Sequence, residues 1–201
     1  MWPFDDAPVA AAPPDWRISQ TNPTAELATW RVVADDGAPS APNVFGVTHT
    51  RNRNGTFNLA IAEGMACRDL HVAVRVKAVS GVEDQGGGPI WRARDENNYY
   101  IARFNPLEGN YRVYVVVDGK RRQLDSARVE TEAGRWYDLR ITMRGDRITC
   151  YLEKRKLLEA TDVSLPAAGA VGLWTKADAA TYFDNLIVHE YHPAEAPSAL
   201  P

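Results

Sequence analysis

The stretch YDLRITMRGDRITCYLEK, residues 137–154, decides the fold class of this 201-residue chain. Apolar residues occupy every second position on both sides of Gly145, and charged or polar residues lie between them. Successive side chains of a β-strand point to opposite faces of a sheet, so the pattern predicts two strands that each turn one face to a core. Gly145 followed by Asp146 is typical of a Gly-first, type II′ hairpin turn, which makes the two strands antiparallel neighbours.

The same alternation recurs elsewhere in the chain. Leu70–Lys77 alternates in the same way, whereas Tyr111–Val117 is apolar at every position but one, as expected for a strand packed on both faces. No stretch of about twelve residues has helical periodicity. The sequence therefore predicts an all-β fold, a two-sheet antiparallel β-sandwich.

Turn residues support this interpretation. The Asp-Gly pair at 118–119 and the Asn-Gly pair at 54–55 favour type I′ hairpins, because glycine and asparagine tolerate the positive φ that these turns need. Residues 153–156 (EKRK) also lie between strand-like runs but lack glycine, and they predict a longer type I loop.

Composition excludes several classes of function. The net charge of −3 provides no basic field for nucleic acid, and no run of about 18 apolar residues exists to span a membrane. Hydrophobic residues make up 45% and charged residues 24%, which is typical of a globular domain.

The domain limits follow from composition. Residues 1–15 and 192–201 are rich in Ala and Pro and are expected to be flexible tails around a single domain of residues 16–191. The N-terminus lacks a positive segment followed by an apolar one, so we expect either a cytoplasmic protein or an exported one whose signal has been removed. Cys67 and Cys150 do not have the spacing of a metal motif and are interpreted as free thiols.

Three stretches resemble a bacterial group of laminin G-like, concanavalin A-like jelly-roll domains that is related to the 3-keto-disaccharide hydrolase family. They are Gly86–Leu124, Gly134–Asp162 and Gly169–Val188, and Ala41–Glu63 looks similar. The resemblance implies a concanavalin A-like jelly roll with two curved sheets. It also implies a periplasmic or extracellular location. It does not imply one function, because such folds occur in lectins, hydrolases and adhesive modules.

Motifs for catalysis are missing from the sequence. It contains no E-x-D-x-E triplet of a jelly-roll glucanase, no G-x-S-x-G elbow and no phosphate-binding loop. We therefore expect a non-catalytic carbohydrate-binding or surface-interaction module of an exported bacterial protein. Two alternatives stay open: a sugar-active hydrolase of the 3-keto-disaccharide type, and a laminin G-like protein-binding or structural domain.

Candidate sugar ligands lie in the hairpin of residues 90–104 and in the last strands. Sugars are bound by aromatic faces and by planar polar groups that bond hydroxyl pairs. The residues of this kind that we expect on one concave face are Arg92, Tyr99 or Tyr100, Arg103, Trp174 and Lys176.

A structural Ca²⁺ is a further expectation, and it rests on the resemblance. Related domains hold the ion between early and late parts of the chain through oxygen ligands. Asp184 in the sequence YFDN is the late ligand that the resemblance implies, and Glu26 is its expected early partner, with Asp35 and Asp36 as alternatives.

Overall fold

The computed structural model describes residues 1–191, which form fourteen β-strands. The first seven are β1 (Trp16–Thr21), β2 (Thr29–Ala34), β3 (Asn43–His49), β4 (Phe57–Ala62), β5 (Leu70–Ser80), β6 (Gly88–Asp95) and β7 (Asn98–Asn105). The remaining seven are β8 (Asn110–Val117), β9 (Lys120–Arg128), β10 (Trp136–Arg144), β11 (Arg147–Leu152), β12 (Arg155–Thr161), β13 (Ala170–Lys176) and β14 (Ala180–Glu190). No helix in this part of the chain is long and apolar enough to cross a membrane.

The strands form two sheets of seven, and every pairing is antiparallel. The first sheet has the order β1-β4-β13-β6-β7-β8-β9, and the second has the order β12-β11-β10-β5-β14-β3-β2. The predicted all-β, two-sheet sandwich is confirmed. Distant parts of the chain are neighbours in both sheets, as a jelly roll requires, because β13 lies between β4 and β6 and β14 lies between β3 and β5.

Two cores stabilise the sandwich. The larger cluster lies between the sheets and contains residues from both. A second cluster consists of residues from the first sheet alone and lies on the face turned away from the second sheet, which we call the outer face. Strands β7 and β8 contribute to both clusters, so the prediction that Tyr111–Val117 packs on two sides is confirmed. Cys67 and Cys150 are buried free thiols, also as predicted.

The hairpin turns follow local sequence in two cases. Asp118 and Gly119 have φ values of +49° and +73° between β8 and β9, which confirms the type I′ turn. Gly145 has a φ of +59° at the first turn position between β10 and β11, as the Gly-first prediction requires.

The turn between β11 and β12 was predicted wrongly. Instead of a longer loop, Glu153 and Lys154 form a two-residue turn with φ values of +50° and +67°, and Leu152 pairs with Arg155. The left-handed conformation costs a non-glycine residue about 1–2 kcal/mol. Two bonds between Glu153 and Asp138 of β10 offset this cost: the Glu153 N–H donates to the Asp138 carbonyl at 2.9 Å, and the Asp138 N–H donates to the Glu153 carboxylate at 2.7 Å.

The predicted type I′ hairpin at Asn54-Gly55 is also wrong. Only Gly55 has a positive φ, of +105°, and the turn is closed by a 3.1 Å bond from the Thr56 N–H to the Arg53 carbonyl. It lies in the connection from β3 in the second sheet to β4 in the first. Local turn chemistry indicated the reversal of direction, but it carries no information on which sheet the next strand joins.

Residues 1–15, predicted to be a flexible tail, pack on the sandwich. Trp2 forms a β-bridge with Leu186, and Phe4 is buried with its ring 5.3 Å from that of Phe45. Two backbone bonds join residues 10–11 to Val32 and cover the free edge of β2. The Ala- and Pro-rich composition suggested a flexible tail. Two aromatic side chains, Trp2 and Phe4, are nevertheless enough to attach the segment to the sandwich. The predicted tail at 192–201 lies outside the described residues.

Candidate functional site

The six predicted sugar ligands fall into two groups. Tyr99, Arg103, Trp174 and Lys176 come together on the outer face of the first sheet. Arg92 and Tyr100 lie elsewhere, because each faces protein groups between or beside the sheets.

Tyr100 points into the core between the sheets. Its ring stacks on Trp91 with centroids 5.7 Å apart, and its hydroxyl donates to the Asp162 carboxylate at 2.8 Å. Burial and the bond to Asp162 raise its pKa to about 12. The adjacent residue, Tyr99, points to the other face, so of the two tyrosines only Tyr99 lies on the face of Arg103, Trp174 and Lys176.

Arg92 acts as a clamp between the sheets. It has a φ of +47° at a β-bulge of β6, and this bulge turns the side chain towards the second sheet. Its guanidinium donates to the carbonyls of Arg68 at 2.7 Å, Leu165 at 3.0 Å and Gly145 at 2.7 Å. Each of its three nitrogens is therefore occupied by the protein's own backbone.

The outer face carries an aromatic floor. The rings of Phe57 and Trp174 lie 5.2 Å apart, and Tyr99 and Tyr114 belong to the same cluster. The Tyr99 hydroxyl is 2.9 Å from the hydroxyl of Thr21, and burial raises the pKa of Tyr99 well above its ordinary value. Each of these four residues is at most 5% exposed, so the aromatic groups are the floor of the site and other residues form its surface.

Charged side chains lie beside the floor, and of these Glu108 and Arg112 are the most exposed, whereas Arg103 and Asp84 are buried. We call them the charged network: Asp84, Arg103, Glu108, Arg112 and Lys176. Arg103 of β7 and Arg112 of β8 are directly opposed in the sheet register. Like charges in this position repel, and Glu108 in the intervening turn relieves the repulsion. Its carboxylate accepts from Arg103 Nη2 at 3.1 Å and from Arg112 Nη1 at 2.9 Å.

Glu108 is held ionised at the surface. Burial by itself would raise its pKa, but a 2.9 Å hydrogen bond from Asn110 and the charges of Arg103 and Arg112 lower the pKa to about 2. The side chains of Glu108 and Arg112 keep exposed fractions of 37% and 31%. This pair offers solvent a fixed carboxylate beside a fixed guanidinium.

Lys176 and Asp84 complete the network on the side of β13. The Lys176 ammonium donates to the Asp84 carboxylate at 2.8 Å, and Asn105 donates to its other oxygen at 2.9 Å. Burial raises the pKa of Asp84, and the bond from Lys176 opposes that shift.

Arg121 of β9 is a site residue that sequence reasoning missed. Its guanidinium carbon lies 4.4 Å from the centroid of the Tyr114 ring and 5.1 Å from that of Phe57. The sequence did contain a signal for Arg121. Counting residues outward from the type I′ turn at 118–119 pairs Arg121 with Val116, which belongs to the outer cluster. Glu108 was missed as well, because nothing in a turn sequence indicates which strands its side chain will reach.

The predicted calcium ligands do not fit a metal site. Asp184 is fully buried, and its carboxylate accepts from the Ser40 N–H at 2.8 Å, the Asn185 N–H at 2.7 Å and the Ser40 hydroxyl at 3.1 Å. These donors point hydrogen atoms at the oxygens that a cation would need. Glu26 is exposed in the β1–β2 connection, and within residues 1–191 no three His, Cys, Asp or Glu side chains gather as metal ligands. The carboxylate of Asp184 thus holds the β2–β3 loop against β14.

Two clefts involve the second sheet. A cleft of about 520 Å³ lies beside β10 and β12 and is lined by Arg128, Arg135, Arg155 and Tyr137 among others. Another, of about 370 Å³, crosses the second sheet over the stacked rings of His71 and His189. Neither contains a residue of the charged network or any of the six predicted ligands.

Residues 28–191 match the family model of the galactocerebrosidase C-terminal lectin domain. The chain belongs to this lectin-domain family. The expected resemblance to a lectin-like, concanavalin A-like jelly roll is thereby confirmed. No curated protein matches the chain in a sequence search.

Solved structures share the architecture. The carbohydrate-binding module CBM66 from Bacillus subtilis superposes with a TM-score of 0.69 at 18% identity, over 88% of this chain and 96% of that one. A protein of unknown function with a galectin-like fold, also from Bacillus subtilis, has a TM-score of 0.62 at 10% identity, over 88% of this chain and 89% of that one. Domain 4 of AbnA, an extracellular arabinanase from Geobacillus stearothermophilus, in complex with arabinotriose, has a TM-score of 0.56 at 13% identity, over 87% and 82% of the two chains. At these identities the likeness shows the fold alone.

Proposed function

We propose that this domain is a non-catalytic carbohydrate-binding module whose ligand lies on the charged network of the first sheet. The lectin-domain family supports the class of function. Two of the structures that share its fold support it too, since their descriptions name a carbohydrate-binding module and a complex with arabinotriose.

One observation carries the location: the Glu108 carboxylate is shared by Arg103 and Arg112 and remains more than one third exposed. A sugar offers pairs of neighbouring hydroxyls, each of which both donates and accepts. A carboxylate and a guanidinium held side by side match such a pair, because one accepts and the other donates. Fixed geometry also reduces the ordering cost of binding.

The buried residues beneath explain why the pair is rigid. Arg103 has no exposed surface and donates to Asn110 at 2.9 Å as well as to Glu108. The aromatic floor holds Arg103 from below, with its guanidinium carbon 5.8 Å from the Tyr114 ring centroid. The predicted residues Arg103, Tyr99 and Trp174 therefore support the sugar surface, and the contacts with ligand come from Glu108, Arg112 and Lys176.

A glycan array followed by calorimetry with Glu108→Gln and Arg112→Gln tests this location. Both substitutions remove a charge-assisted bond to the ligand, worth about 1.5–3 kcal/mol, so we expect binding to weaken about tenfold or more. Glu159→Gln is the matched control, because Glu159 is an exposed acid in an ion pair with Lys156 on the second sheet. Equal affinity of all three variants and the wild type would place the sugar on another surface. A blank array would count against the carbohydrate-binding function itself.

A further inference from the structure

We infer that the site selects acidic saccharides, and that Arg121 receives the carboxylate of a uronate residue, with the buried charge of Arg103 beside it. This inference rests on the proposed function and names the class of sugar. The ion pairs of the charged network leave an excess of positive charge around the site.

The charged network and Arg121 together contain more cations than carboxylates. Four cationic side chains gather there: Arg103, Arg112, Arg121 and Lys176. Two carboxylates accompany them: Glu108, which Arg103 and Arg112 share, and Asp84, which Lys176 uses. The network and Arg121 together therefore carry two excess positive charges.

Arg121 is the cation without a partner. Among residues 1–191 no carboxylate forms an ion pair with it, and its buried Nη1 has no hydrogen-bond acceptor. Its guanidinium carbon lies among aromatic groups, 4.4 Å from the Tyr114 ring centroid and 5.9 Å from that of Trp174. Burial and the nearby charge of Arg103 lower its pKa. A buried charge normally has a counter-ion, because removing an ion from water costs several kcal/mol.

Arg103 presents a second orphan donor at the same place. Its side chain is 1% exposed, and its Nε also lacks an acceptor. The guanidinium carbons of Arg103 and Arg121 lie 5.8 Å and 4.4 Å from the centroid of the Tyr114 ring. Arg103 is too deeply buried to touch a ligand, but its charge attracts an anion that binds the planar guanidinium of Arg121.

Arg92 shows that the chain can satisfy a buried arginine when the role is structural. Each nitrogen of Arg92 donates to protein oxygens. Orphan donors occur elsewhere among residues 1–191 too, at Arg31 Nε and at the indole nitrogens of Trp16, Trp30 and Trp136. Arg103 and Arg121 differ from these in being two cations beside one aromatic ring, where a carboxylate from outside the chain would balance their charge.

The aromatic floor fixes the position of Arg121. Arginine beside aromatic rings is held in place, and Arg121 stays partly exposed to a planar anion. The exposed pair of Glu108 and Arg112 then contacts the hydroxyls of the same or the next residue. A saccharide that carries a carboxylate satisfies both parts of the site at once.

The test is calorimetry with matched pairs of ligands. Trisaccharides of galacturonic, glucuronic and mannuronic acid are each compared with the carboxyl-reduced form, which differs only in having a hydroxymethyl group in place of each carboxylate. We expect at least one uronate to bind about tenfold or more tightly than its reduced form, and salt to weaken that binding. Arg121→Gln should remove both the preference and the salt dependence, and Arg121→Lys should retain part of each. Arg122→Gln is the control, because Arg122 is the next residue and pairs with Asp162.

The outcomes separate the two proposals. If neutral and acidic trisaccharides bind equally, or if Arg121→Gln keeps the preference, the selectivity for acids is overturned and the carbohydrate-binding function stands. If no saccharide binds on the array or in calorimetry, both proposals fail. Far- and near-ultraviolet circular dichroism of Arg121→Gln must match the wild type; if the variant is misfolded, Arg121→Lys and the salt dependence of the wild type decide.

Discussion

Two regions of the first sheet bury arginine side chains in opposite ways. At the bulge of β6, Arg92 donates to three backbone carbonyls and joins the two sheets. On the outer face, Arg103 and Arg121 keep buried nitrogens with no acceptor, above a floor of aromatic rings. The residue type is the same, and Arg92 and Arg103 are almost equally buried, so neither property distinguishes a structural arginine from one in the candidate site. The two regions differ in whether each buried donor has an acceptor within the described chain.

Removal of the Arg92 clamp should have the largest effect on stability. Arg92→Met leaves the carbonyls of Arg68, Leu165 and Gly145 without their donor, and each buried unsatisfied group costs about 1–3 kcal/mol. We expect a loss of about 3–5 kcal/mol in the free energy of unfolding, measured by urea denaturation. Arg94→Met, at an exposed position two residues further on, should change it by less than about 0.5 kcal/mol. A small loss for Arg92→Met would mean that water can replace the clamp.

The Asp118-Gly119 turn stabilises the fold and also positions Arg121. Gly119 has a φ of +73°, and a Cβ at this position would lie 3.0 Å from the Asn22 side chain. Gly119→Val should therefore lower the free energy of unfolding by about 1–3 kcal/mol. The turn also sets the register that pairs Arg121 with Val116, so binding of uronates should weaken in the same variant. An unchanged melting temperature together with wild-type binding would contradict this role of the turn.

Low pH should remove the smallest of the three contributions to the free energy of unfolding, that of the Glu108 ion pairs. The pKa of Glu108 is lowered from an ordinary 4.5 to about 2, so its ion pairs stabilise the fold above pH 4.5 and lose that effect as the pH falls towards 2. The side chain is more than one third exposed, and solvent screening reduces the contribution to about 1 kcal/mol. The difference in stability between the wild type and Glu108→Gln should thus shrink between pH 5 and pH 2 in denaturation curves. A difference that stays constant with pH would show that the carboxylate charge does not stabilise the fold.

Part of the candidate site could be predicted from the sequence. Alternation in residues 98–105 placed Tyr99 and Arg103 on one face, and the structure finds both there with Trp174 and Lys176. Arg92 was placed wrongly on that face because a bulge shifts the register of β6 between Trp91 and Asp95, and strict alternation fails beyond such a point. Glu108 and the orphan state of Arg121 depend on which strands meet across the sheet, which no local pattern records.

By itself, the sequence determined the elements of this protein. Period-two alternation and the turns at Asp118-Gly119 and Gly145 specify antiparallel strands, because strand geometry and left-handed turn conformations are local properties of the chain. Only the tertiary structure decided the site. The insertion of β13 beside β6 brings Lys176 to Asp84, and the pairing of β7, β8 and β9 brings Arg103 and Arg121 to one tyrosine ring, with Glu108 bonded to Arg103. Whether a buried charge finds its partner within the chain is a question of distance in space, and separation along the sequence does not fix that distance.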